Sequence, residues 1–148
     1  MEKKRQELTL MFQGADELNL DAKGRIVIPA RRRETLMAVS AGKLVLTVHQ
    51  HRCLLLYPAP VWKPIYDQVS EISSFTLNLE EARLKRRLIG NARDETMDST
   101  GRLLIAPELR KLVELEKKVW LVGQGNHFEI WSEAGWKQEQ EAFYTLGN

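Results

Sequence analysis

Two short stretches set a carboxylate and a guanidinium at the same spacing: Asp21-Ala-Lys-Gly24-Arg25 and Asp98-Ser-Thr-Gly101-Arg102. Aspartate suits the first position of a type I turn and glycine the left-handed position after it. Each stretch therefore predicts a hairpin turn closed by a G1 bulge. An arginine placed directly after such a glycine stands at a fixed height on a rigid base. Its planar fork matches the O6 and N7 of guanine in the major groove, a contact that discriminates between bases by about 1–3 kcal/mol. The aspartate has two jobs open to it: capping the turn amides, or holding the guanidinium in one orientation. A stable turn that was duplicated also explains Asp21, Gly24, Asp98 and Gly101. It does not explain why Arg25 and Arg102 follow both times, or why Lys23 stands beside the first. On the residues alone, nucleic-acid reading and a plain turn stand level.

Other chemistry is thinly represented. His49-Gln-His51-Arg-Cys53, laid out as one strand, would place His49, His51 and Cys53 on one face, as metal ligands stand. The corresponding stretch later in the chain, Gly123-Gln-Gly-Asn126, reads as a turn, and no fourth ligand is evident. No metal or cofactor is expected. His127 reads as structural, and Cys53, ahead of Leu54-Leu-Leu56, as a small core residue. No glycine-rich phosphate loop, Ser-His-Asp set or paired catalytic carboxylates stand out, so neither an enzyme nor a small-molecule substrate is expected. One cysteine leaves no internal disulfide. No apolar run nears the ~18 residues of a membrane span. The start, Met-Glu-Lys-Lys-Arg-Gln-Glu, shows no apolar stretch behind its charges, so a cytoplasmic location is expected. The net charge of +2 is too small to name a partner. Yet Lys23, Arg25, Arg31, Arg32 and Arg33 form an acid-free basic patch, which could bind phosphates or be a solvated face.

The elements that must position these residues come in two copies. Asp21, Gly24 and Arg25 recur as Asp98, Gly101 and Arg102 at an offset of 77, with Leu20 matching Met97 and Ile28 matching Ile105. Lys43–Val48 parallels Lys118–Val122, Leu56-Tyr57 parallels Ile130-Trp131, and Trp62 parallels Trp136. Five ordered landmarks describe a duplicated module of roughly 50 residues. In the first copy, alternation over 17–20 and β-branched residues over 25–28 predict strands, followed by a short basic helix from Ala30 to Leu36. Pro107 opens the equivalent helix, from Glu108 to Val113. Further strands are expected near 43–48, 53–57, 118–122 and 127–131. Apolar residues spaced by three and four predict amphipathic helices over 61–72 and 79–89, the second capped by Asn78. A C-terminal helix is expected from the Ser132 cap, with Trp136, Phe143 and Leu146 as its apolar stripe.

Met11-Phe-Gln-Gly14, Asn19-Leu-Asp-Ala-Lys-Gly-Arg-Ile-Val-Ile-Pro29, Asn91-Ala-Arg93, Met97-Asp-Ser-Thr-Gly-Arg-Leu-Leu-Ile-Ala-Pro107 and Leu121-Val-Gly-Gln124 closely resemble the MraZ family of bacterial transcriptional regulators. The resemblance runs from Met11 to about Trp136. It implies an α+β, mainly β fold: two tandem AbrB-like (SpoVT-AbrB) modules with swapped hairpins forming an intrachain pseudo-dimeric barrel, flanked by amphipathic helices. The modules would span 11–60 and 91–132, with linking helices over 61–90 and a C-terminal helix over 133–148. The resemblance further implies a ring-shaped homo-oligomer bound to double-stranded DNA in the nucleoid. The ring would bind TGGG-type direct repeats upstream of a division and cell-wall gene cluster, with repression the expected sign. Arg25 and Arg102 would face the DNA with Lys23 beside them, and Asp21, Gly24, Asp98 and Gly101 would form the turns and orient the arginines. Two departures stand out. Residues 1–10 form an extension, expected to be disordered, and Thr100 replaces Lys23, so the second loop should contribute less affinity. The alternative is an antitoxin-like or other protein-interaction module on the same fold.

Overall fold

The computed structural model describes residues 10–50 and 52–146. The extension is thus outside the described residues except for Leu10, which packs partly buried against the core. Among the described residues the order is β1 (Ala15–Asn19), β2 (Arg25–Val27), α1 (Ala30–Ser40), β3 (Lys43–Val48), β4 (Leu54–Pro58), α2 (Ala59–Ser70), α3 (Leu79–Gly90), β5 (Arg93–Thr96), β6 (Arg102–Leu104), α4 (Pro107–Leu112), β7 (Lys118–Gly123), β8 (Phe128–Ser132) and α5 (Glu133–Leu146). Helix α1 runs four residues past its expected end. Leu36 is fully buried, and the helix closes only where Ala41 turns left-handed and bonds Met37 O.

The strands exchange between the copies. Six form one antiparallel sheet in the order β1-β7-β8-β4-β3-β5, and β2 pairs with β6 as a separate ribbon. β1 of the first copy thus lies on β7 of the second, and β5 of the second on β3 of the first. The register makes the exchange symmetric. Ile26 faces Leu103, its own equivalent at offset 77, and Leu55 faces Glu129, its equivalent at offset 74. A pseudo-twofold axis therefore passes through the ribbon and through the β4–β8 pair. The expected hairpin turns need one correction: β1 and β2 are not ladder partners. The Asp21–Arg25 turn leads the chain from the sheet into the ribbon, as the Asp98–Arg102 turn does in the second copy.

Period-two burial explains why the layers hold. Leu44, Leu46, Leu54, Leu56, Val119, Leu121, Phe128 and Ile130 point to one face of the sheet and meet Ile26, Ile28, Leu103 and Ile105 from the ribbon side. On the other face Val45, Leu55, Tyr57 and Trp62 form a second cluster with Val61, Ile65 and Leu88 of α2 and α3. Cys53, Val122 and Trp131 form a third, packed by Trp120 and Trp136. Trp62 and Trp136 thus cover equivalent halves of the sheet. Asn78 caps α3 by accepting from Glu81 N at 3.1 Å, and Ser132 Oγ accepts from Gly135 N at 2.9 Å at the start of α5. The apolar stripe predicted for α5 is only partly used. Trp136 packs, Phe143 is 71% exposed, and the Leu146 side chain lies outside the described residues.

Candidate nucleic-acid interface

Each predicted turn closes on its aspartate. Asp21 Oδ1 accepts from the backbone N–H groups of Lys23 and Arg25, both at 2.9 Å, while Oδ2 accepts from Arg25 Nε at 3.0 Å. Gly24 N donates to Asp21 O at 3.0 Å, and Gly24 holds φ +84°, which favours glycine. One carboxylate therefore does both jobs that the residues left open. It caps the turn amides with one oxygen and orients the guanidinium with the other.

The second turn repeats the design. Asp98 Oδ1 accepts from Arg102 N and Thr100 N, both at 2.9 Å, and from the Thr100 hydroxyl at 2.8 Å. Arg102 Nε donates to Asp98 Oδ2 at 2.9 Å, and Gly101 holds φ +86°. Thr100 spends its polar group inside the loop, whereas the Lys23 ammonium at the equivalent place on the first has no partner among the described residues. The amide of Arg25 and the guanidinium beside it hold the Asp21 carboxyl below its ordinary range. The amide of Arg102 and the Thr100 hydroxyl hold Asp98 well below it. Both aspartates are ionised at neutral pH, so the clamps are charge-assisted.

The ribbon brings the two arginines together. Arg25 pairs with Leu104 and Val27 with Arg102, so Arg25 and Arg102 are diagonal neighbours on its outer face. Such neighbours lie about 7–8 Å apart. Their side chains remain 34% and 48% exposed. Because Asp21 and Asp98 engage only the Nε atoms, the terminal nitrogens of both forks bond nothing among the described residues. A two-stranded ribbon fits the major groove, and two oriented forks on its face have the geometry to engage guanine edges.

Sequence reasoning missed the groups that hold the loops in place. Ile28 N donates to Gly101 O at 2.8 Å and Ile105 N to Gly24 O at 2.9 Å, tying each turn to the other copy. Arg33 donates through Nη2 to Ile28 O at 3.0 Å and lies against Gly101; Arg110 donates through Nε to Ile105 O at 3.0 Å and lies against Gly24. The signal was present, since Arg33 and Arg110 are themselves 77 apart. The basic patch also divides into separate roles. Arg32 is buried, bonds Asp16 and Gln13 O, and stands over the Phe128 ring at 5.3 Å. Arg31 pairs with Asp16. Of the five cations, Lys23 and Arg25 remain on the loop itself.

The His49–Cys53 stretch is a hairpin loop: His49 N donates to Cys53 O at 2.8 Å, and Arg52 sits at φ +69°. That turn breaks the strand alternation, and His51 lies outside the described residues. Cys53 is fully buried, and burial pushes its thiol far above the ordinary range. The His127 ring stacks on Tyr57 at 4.5 Å, and burial lowers its pKa. No helix among the described residues is long and apolar enough to cross a membrane.

Comparison with known proteins agrees with this duplicated design. A family model described as "MraZ protein, putative antitoxin-like" matches residues 11–87 and again 88–146. The chain is 63% identical over 131 residues to the transcriptional regulator MraZ of Dechloromonas aromatica (strain RCB), covering 88% of this chain and 87% of that protein. It is 51% identical over 138 residues to that of Azoarcus sp. (strain BH72), covering 92% and 90%. It is also 51% identical over 129 residues to that of Methylobacillus flagellatus, covering 87% and 86%. All three relatives carry the name of a regulator and not of an enzyme.

Proposed function

The chain belongs to the MraZ family, and on that premise we propose that it regulates transcription by binding double-stranded DNA through Arg25 and Arg102, with Lys23 adding a phosphate contact. The observation that carries the reading is the pair of aspartate-clamped forks on one exposed ribbon face. Phosphate contacts alone need only positive charge, and flexible lysines would supply it. Clamped, planar forks are the apparatus for reading base edges. Guanine is the base whose paired acceptors fit them, which favours G-rich sites of the TGGG type.

Each chain offers two forks, a small reading surface. Selective binding therefore calls for several chains acting together on direct repeats, and a ring of copies supplies that avidity when the repeat spacing matches. The regulator would act at the nucleoid, in the cytoplasm, with repression of a division and cell-wall gene cluster as its output.

Competition anisotropy at physiological salt tests the reading with one duplex carrying TGGG direct repeats and another with the same bases scrambled. Preference for the repeats is expected. Equal binding would reduce the surface to a phosphate-binding patch. Binding to neither duplex would move the function to a protein partner, the antitoxin-like alternative.

A further inference from the structure

The outer face of the ribbon holds more than arginines. Strand side chains alternate, so Val27 shares the face of Arg25 and Leu104 that of Arg102. Ile26 and Leu103, pointing the other way, are fully buried. Val27 is 50% exposed and Leu104 43%, and neither belongs to any apolar cluster of the core. The face is therefore a symmetric block of four: Arg25 directly opposite Leu104, and Val27 directly opposite Arg102. Each arginine of one copy has an uncovered aliphatic side chain of the other copy beside it, with Cβ atoms about 4.5–5.5 Å apart.

A phosphate-binding surface has no use for aliphatic groups at that place. A base-reading surface does. In the major groove, the one apolar group that a standard base presents is the C5-methyl of thymine, while guanine presents O6 and N7. Successive bases on a strand are spaced by about 3.4 Å, so a thymine next to a guanine sets its methyl beside the edge that an arginine fork engages. We propose that Val27 and Leu104 are specificity-determining residues that pack against the C5-methyl of a thymine adjacent to an arginine-read guanine. Arg25 with Leu104, and Arg102 with Val27, then form two reading units, each built from both copies. The assignment rests on the DNA-reading function proposed above and adds a base preference to it. The unit recognises the thymine–guanine step, whereas the forks alone recognise only guanine.

The test removes the methyl without touching the protein. Binding is measured to the TGGG-repeat duplex, to the same duplex with those thymines replaced by deoxyuridine, and to the scrambled duplex. The native chain and a Val27→Ala/Leu104→Ala variant are compared. The native chain should lose about three- to four-fold in affinity for each contacted methyl removed, the effect of one buried methyl group. The variant should bind the thymine and uracil duplexes equally and still reject the scrambled one. Equal binding of both repeat duplexes by the native chain, with the scrambled duplex rejected, would overturn this assignment and leave the arginine reading standing. Failure to reject the scrambled duplex would overturn both. A variant that assembles to a different size while the native chain ignores the methyl would assign the two side chains to contact between copies, against the proposal.

Discussion

Asp98 makes four short bonds with two oxygens, and that arrangement decides how the site responds to acid. A carboxyl held below its ordinary value of about 4 stabilises the folded loop at every pH above that value. Its contribution is lost only as pH falls through the lower, folded-state value. The same sign holds for Asp21. Selective DNA binding should therefore show no carboxylate titration between pH 8 and pH 5. Asp98→Asn, which removes the acceptor charge, should weaken selectivity across that whole range. A binding step centred near pH 5 to 6 in the native protein would contradict this. The residues of the clamp were legible in the sequence because the motif is local: donors and acceptor lie within five residues. Arg33 and Arg110 were legible only as one more pair 77 apart: each donates to a carbonyl of its own copy, Ile28 O or Ile105 O, but packs against the turn of the other copy, a contact that no local pattern reveals. Cys53 was legible as core from the leucines that follow it, and it should react with a thiol reagent only on unfolding.

At the scale of elements, the ribbon is only three residues per strand and holds its place through contacts at its ends. Two glycines let the turns approach those contacts closely, and their surroundings differ. A Cβ on Gly24 would lie 2.8 Å from the Arg110 guanidinium, which can swing aside. A Cβ on Gly101 would lie 2.5 Å from Arg33 Nε and 2.8 Å from the backbone oxygen of Ile28, which cannot. Both substitutions carry the left-handed backbone cost of about 1–2 kcal/mol. Gly101→Ala should therefore destabilise more than Gly24→Ala, with a fall in Tm of roughly 4–8 °C. Calorimetry of the two variants checks the order, and a larger loss for Gly24→Ala would contradict it. Most elements were readable from periodicity, since strands buried on alternating faces and helices with an apolar stripe imprint their period. β5, Arg-Asp-Glu-Thr, carries no such period because its residues are mostly exposed. α1 extends four residues beyond the reading because its buried face ends at Leu36: Met37–Ser40 are exposed or half-buried and continue the helix with no apolar period to mark it.

For the whole molecule, interleaving means that neither copy owns its core. Within the first copy only β3 and β4 are ladder partners; β1 pairs with β7, β2 with β6, and β4 also with β8. A fragment of residues 11–74 should therefore not fold as a monomer. Because Ile26 faces its own equivalent and Leu55 does too, two such fragments can re-pair with each other, giving a dimer whose Tm rises with concentration. Sedimentation and circular dichroism of the fragment test this, and a folded monomer would contradict the exchange of strands. Duplication was evident from the offset of 77. Strand exchange followed only from the family resemblance, because a repeat in sequence fits two side-by-side modules as well as two interleaved ones.

If clamped arginines read bases, removing one fork must cost preference between sequences and not binding as such. Affinity for TGGG-repeat and scrambled duplexes is measured over a salt series for the native chain, Arg25→Ala and Arg102→Ala. Each variant should keep its fold and lose most of the preference for the repeats, by about 1–3 kcal/mol per fork removed. Binding to the scrambled duplex should persist, with its steep dependence on salt. Variants that weaken both duplexes equally, with the preference intact, would show that the two arginines hold phosphates and that base reading lies elsewhere.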